Sequence, residues 1–181
     1  NVLTLYEDRP HAWDAWDIDI YYENQALQNA TSVSVEKLVD GPARQGLRFS
    51  LTLGESTLTQ DVVLAPHSKR LDFVTEADWH ERHRMLRVAF DVDVISDQAS
   101  FDIQYGFARR PTHRNTDRDV ARFEVAAQRY ADLSDGGYGV ALLNDCKYGY
   151  KILGNTMDMN LLRSSTHPHG DADQGRHEFT Y

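Results

Sequence analysis

The chain has 181 residues, 41% hydrophobic and 26% charged, and its 28 acidic against 19 basic side chains give a formal net charge of −9. This is the balance of one globular domain large enough to bury a core, and it excludes the basic footprint that nucleic acid or an anionic membrane requires. No apolar run approaches the roughly 20 residues of a membrane-spanning helix, and the single cysteine, Cys146, excludes an internal disulfide and suits a reducing, cytoplasmic setting.

In chain order, "NVLTLYEDRP" opens in strand-like sequence and is followed by "WDAWDIDIYY", Trp13 to Tyr22. Alternation there predicts a strand with Trp16, Ile18, Ile20 and Tyr22 on the core face, and Asp17 and Asp19 on the solvated one. Trp13 and Asp14 precede it, at the point where the alternation breaks. Burying Asp14 beside Trp16 without a partner would cost several kcal/mol. Asp14 is therefore satisfied locally or turns outward to a cleft.

Further strands are predicted at Thr31–Val39, at "LRFSLTL" with Leu47, Phe49, Leu51 and Leu53 inward, and at Leu58–Leu64 and Leu71–Thr75. "MLRVAFDVDV" is the clearest alternation, with Leu86, Val88, Phe90, Val92 and Val94 inward and Arg87, Asp91 and Asp93 in solvent. "FDIQYGF" places Phe101, Ile103, Tyr105 and Phe107 on one face. Arg122–Val125, Tyr138–Leu143, Tyr148–Leu153 and Met157–Arg163 complete the set. Turn chemistry separates many of these runs, at Asp40-Gly41-Pro42, Leu53-Gly54, Asp135-Gly136-Gly137 and Gly154-Asn155. No helical period lasts three turns. The fold class is all-β, a large antiparallel sandwich forming one domain over residues 1–181. Both ends fall within strand-like sequence, which predicts a segment of a longer chain.

The residues alone carry little chemistry. In "HERH", His80 and His83 are three apart and would point to opposite faces of a strand. His167 and His169 could chelate on one side of an extended segment, but Pro168 and Gly170 mark a polar loop, so no metal site is assigned. There is no nucleophile elbow, and Cys146, just after "VALLND", reads as a small buried hydrophobe. Carboxylates are plentiful, and counting them identifies no catalytic pair.

Several segments together resemble the C-terminal β-domain of α-mannosidases of glycoside hydrolase family 38, of the cytosolic and bacterial type. They are "WDAWDIDIYY", "DWHERHRMLRVAFDVDV", "RPTHRNT" with "ARFEV", "YADLSDGGYGVALLNDCKYGY" and "DADQGRHEF", spread over nearly the whole chain. The resemblance implies a galactose-mutarotase-like supersandwich packed beside a separate N-terminal α/β barrel. That barrel would carry the nucleophile, the acid/base group and the ligands of zinc or another divalent metal. The parent would hydrolyse α-mannosides with retention, through a covalent mannosyl-enzyme intermediate. This chain alone is expected to be inactive, with no catalytic residue, metal ligand or cofactor of its own.

Its implied partners are an α-mannoside oligosaccharide and its own N-terminal catalytic domain, and a homo-oligomeric parent stays open. Loops of the β-domain would complete one wall of the sugar pocket. Trp13 offers a flat apolar surface for a sugar ring, Asp14 or Asp17 could accept hydrogen bonds from paired hydroxyls, and Tyr138 and Arg163 are further candidates. Arg163 shares inward parity with Met157, Met159 and Leu161, so it needs a partner, which Asp171 or Asp173 would suit. The alternatives are a folding or oligomerisation scaffold that never touches sugar, and a stand-alone carbohydrate-binding module or epimerase-like enzyme. Arg163 in an open cleft favours the pocket; Arg163 in a buried ion pair favours the scaffold.

Overall fold

A computed structural model describes all residues 1–181. Strands make up 55% of it and helix 7%, in three antiparallel sheets, so the chain is all-β. The first eight strands are β1 (Val2–Glu7), β2 (Ala26–Asn29), β3 (Thr31–Gly41), β4 (Arg44–Leu53), β5 (Ser56–Leu64), β6 (Leu71–Trp79), β7 (Arg84–Asp91) and β8 (Gln98–Ile103). Then come β9 (Gly106–Pro111), the single helical turn α1 (Asp117–Val120), β10 (Val125–Ala126), β11 (Tyr130–Ser134), β12 (Gly139–Leu143), β13 (Gly149–Leu153), β14 (Thr156–Arg163) and β15 (Gly175–Thr180). These elements fall into two compact units, residues 1–3 with 86–162, and residues 4–85 with 163–181.

The second of these units is built on a five-stranded sheet in the order β15-β6-β5-β4-β3. Its register puts Val35, Phe49, Gln60 and Thr75 on one face together with Leu47, Val62 and Phe73. On that face Thr75, Gln60, Leu58, Ala77 and Trp79 are buried. The buried amide of Gln60 is satisfied by Thr75 Oγ1 at 3.1 Å and the Tyr181 hydroxyl at 2.7 Å. Toward β3 and at the Leu64–Leu71 end the same face is uncovered: Val35, Leu47, Leu64 and Leu71 are exposed. The expected inward set of β4 is thus buried only at Leu53. The opposite face is charged, with Arg48 bidentate on Asp61 at 2.7 Å.

The β4–β5 hairpin turns at Gly54 with φ 61°. Buried Glu81 pins it, accepting from Glu55 N at 2.7 Å and Ser56 Oγ at 2.9 Å.

In the other unit, β13 and β14 form the hairpin expected at Gly154-Asn155, with Leu153 opposite Thr156. Its four-stranded sheet runs β12-β11-β8-β9. "FDIQYGF" is two strands rather than one: the chain turns at Gln104-Tyr105, with Tyr105 at φ 64° and fully exposed. β7 is buried on both faces rather than half-buried. Arg87, expected in solvent, is 1% exposed, bonded to Asp158 at 2.7 Å and paired with Glu124 at 3.0 Å. A carboxylate pair lets alternation place a cation in the interior. The Arg122–Val125 strand shrinks to the two residues of β10, after α1 capped by Thr116. Cys146, expected to be buried, is exposed in the turn after β12.

Candidate functional site

Residues 13–24 are not a strand. Two 3-10 turns, Asp14–Trp16 and Ile20–Asn24, replace it. Trp13 enters the first in the left-handed region at φ 64°, a conformation that costs an L-residue about 1–2 kcal/mol. Trp16 N closes the turn on Trp13 O at 2.6 Å. A period of three instead of two swings Trp16 out of the core position that alternation predicts. Trp13 is 73% exposed and Trp16 66%, while Tyr22 alone of the expected core set is buried.

The turn is held from the segment after β14. Asp14 Oδ2 accepts from Thr166 N and His167 N, both at 2.9 Å. Ala15 N donates to His167 O at 3.3 Å, and the Trp16 ring meets the His167 ring edge-on at 6.3 Å. Asp14 is thus satisfied locally, the first of its two expected outcomes.

Arg163 supplies the second anchor. Its Nε donates to Asp8 Oδ2 at 2.6 Å and its Nη2 to Asp8 Oδ1 at 3.1 Å. The same Nη2 donates to the carbonyls of Asp14 at 3.2 Å and Asp17 at 2.6 Å. The guanidinium therefore ties a buried carboxylate to both ends of the tryptophan turn. The partner is Asp8, not Asp171 or Asp173. Asp171 pairs instead with Arg82, whose guanidinium holds that carboxyl below the usual carboxylate range. Asp173 adopts φ 59° in the same loop, and its carbonyl faces His177 Nε2 at 2.7 Å.

Asp8 and the exposed Trp16 are what sequence reasoning missed. No periodicity marks Asp8, which lies beyond the end of β1, and Trp16 was assigned to the core by a period that the turn does not follow. Asp17 is exposed, its Oδ1 accepting from Ile18 N at 2.9 Å. His83, at φ 50°, packs under the turn with Nε2 3.0 Å from Thr166 Oγ1 and Nδ1 4.0 Å from Asp14 Oδ1. Four of the five sequence candidates, Trp13, Asp14, Asp17 and Arg163, thus meet in one unit. Tyr138 belongs to the other unit, exposed on the β11–β12 hairpin, where Asp135 Oδ1 accepts its backbone N–H at 2.9 Å.

His167 and His169 do not converge, since His169 Nδ1 accepts from Asp171 N at 3.2 Å while His167 lies against Trp16. No three His, Cys, Asp or Glu side chains cluster as metal ligands, and no helix is long and apolar enough to cross a membrane.

The family model of the glycosyl hydrolases family 38 C-terminal domain matches residues 1–171. The chain belongs to this family. It is 44% identical over its whole length to human alpha-mannosidase 2C1, and 39% and 35% identical to alpha-mannosidase G of Dictyostelium discoideum and the alpha-mannosidase of Saccharomyces cerevisiae. It spans only 17–18% of the length of these relatives. An alpha-mannosidase structure from Enterococcus faecalis superposes with a TM-score of 0.80 at 15% identity, over 99% of this chain and 24% of that one. A second Enterococcus faecalis structure, of a family 38 glycosyl hydrolase, does so at 0.77. At that identity the likeness establishes the fold, and the family 38 assignment rests on the sequence.

Proposed function

We propose that this family 38 C-terminal domain serves a parent enzyme that hydrolyses α-mannosides, and that it forms one wall of the sugar pocket. The observation that carries this reading is the pair of exposed tryptophans, Trp13 and Trp16, on a turn that Arg163, Asp8 and Asp14 immobilise. Apolar rings fixed in solvent are the chemistry that stacks on a pyranose face. In this reading Trp13 touches the sugar ring and Asp17 accepts from its hydroxyls. Asp14 and Arg163, whose polar groups are engaged within the protein, hold the contact surface in position. In this reading the parent's catalytic carboxylates and its divalent ion, zinc, belong to its remaining chain. A cytoplasmic setting agrees with the lone, exposed Cys146.

The test is the parent enzyme carrying Trp13→Ala or Trp16→Ala, assayed on an aryl α-mannoside and on a mannose oligosaccharide. Loss of one aromatic contact is expected to lower kcat/KM by about two- to tenfold with melting unchanged, since an aromatic contact contributes about 0.5–1.5 kcal/mol. Unchanged kcat/KM in both variants would refute the wall.

A second reading is favoured by two particular observations, the Arg163–Asp8 ion pair and the uncovered apolar residues Val35, Leu47, Leu64 and Leu71. In it the domain is a packing scaffold for the catalytic domain, and that sheet face is what the rest of the parent covers. Charged substitutions at Leu47 or Val35 would then disrupt assembly of the parent and leave isolated-domain stability nearly unchanged.

A further inference from the structure

The unit of residues 86–162 holds a small, partly open cleft lined by Phe101, Arg110, His113, Asp119, Arg122 and Lys151 among others. Its charge runs against that of the chain: cations dominate the wall of a protein with a net charge of −9. The guanidinium of Arg110 lies 5.0 Å over the Phe101 ring. Its Nη1 is enclosed and has no acceptor. Burial and the adjacent Arg122 both push Arg110 below its ordinary pKa, the signature of a cation lacking a counter-charge.

His113 adds a second enclosed nitrogen. Its Nδ1 is enclosed without a hydrogen-bond partner and lies 3.7 Å from Asp119 Oδ2. Asp119 is the one carboxylate in the wall and is already committed. Its Oδ2 accepts from Thr116 N at 3.1 Å and Thr116 Oγ1 at 2.8 Å, closing the cap of α1. Lys151, at the rim, reaches Asp158 at 3.4 Å. Two neighbouring arginines and two enclosed nitrogens without acceptors therefore face one open space.

An enclosed donor with no acceptor and a half-buried cation with no anion are both unfavourable, and one ligand relieves both. A guanidinium presents parallel N–H groups that match two oxygens of a carboxylate or phosphate. We propose that this cleft binds a small oxyanion, a phosphate or carboxylate group, on Arg110, with Arg122 and His113 completing its shell.

Isothermal titration of the full-length protein with sodium phosphate and with sodium acetate, at ionic strength matched with sodium chloride, tests this. Saturable binding with Kd on the order of 1 mM or tighter is expected for at least one of the two anions. The anion with the lower Kd identifies the phosphate or carboxylate class. Arg110→Met retains the stem over Phe101 and removes the charge, and it should weaken binding about tenfold or more. Arg122→Gln, at an exposed position, should weaken it as well, and it carries the test if the first variant does not fold. Absence of saturable heat for both anions up to roughly twenty times that concentration, or affinity unchanged in the folded variants, would overturn the proposal.

Discussion

Removing either half of the Arg163–Asp8 pair should be among the most damaging single changes in the chain, and unequally so. Asp8 is 2% exposed, whereas the Arg163 side chain retains 20%. Arg163→Met strands a buried carboxylate that has lost both of its guanidinium bonds, and it also releases the carbonyls of Asp14 and Asp17. Breaking a buried pair typically costs about 3–5 kcal/mol, and this variant belongs at the upper end. Asp8→Ala leaves the guanidinium two carbonyl acceptors and some solvent, which places it nearer 3 kcal/mol. For a chain of this size these losses correspond to roughly 6–20 °C in melting temperature. The double variant removes both charges and should recover about 1–3 kcal/mol relative to the sum of the singles. Urea unfolding of the four proteins of the cycle, followed by tryptophan fluorescence and circular dichroism, measures this. The reasoning fails if Arg163→Met costs less than Asp8→Ala, or if the two effects add without coupling.

Two further outcomes concern Tyr150 and Gly54. Burial of the Tyr150 phenol, hydrogen-bonded to Asn144, pushes its pKa from 10 up to about 12. The native state therefore holds that proton where the unfolded chain releases it. The associated stability is complete below pH 10 and is lost as pH rises through about 12, and an ultraviolet phenolate titration compared with Tyr150→Phe should show the late transition disappear. At Gly54 an added Cβ would collide with the Glu81 carboxylate while forcing an L-residue into φ 61°. Gly54→Ala should cost about 2–4 kcal/mol, combining backbone strain with displaced hydrogen bonds. A melting temperature within a degree of the parent's would exclude that account.

The strands were legible where a turn residue and an alternating run agreed, as in β13–β14 around Gly154-Asn155. Alternation misled wherever an interaction between residues distant in sequence outweighed it. Arg87 sits at a polar position of its run and is interior because Asp158 and Glu124 come to it. Trp16 sits at an apolar position and is exposed because a left-handed Trp13 starts a turn there. The candidate site was half legible. The family resemblance pointed to Trp13, Asp14 and Arg163, and parity required Arg163 to have a partner. Asp8 could not be found that way, because 155 positions separate it from Arg163 and no local pattern records so distant a contact.

The five-stranded sheet also sets an order of events. β3, β4, β5 and β6 pair successively with their neighbours in sequence, so that meander can assemble from local hairpins, with little loop to close. β15 reaches β6 only across a loop of about a hundred residues, and it pairs there from Gly175 opposite Trp79 to Thr180 opposite Val74. During synthesis the ribosome releases β6 long before β15 exists. Throughout that interval the backbone of residues 74–79 is an open sheet edge, able to template pairing with another nascent chain. That edge closes only when β15 docks along it, from Gly175 to Thr180.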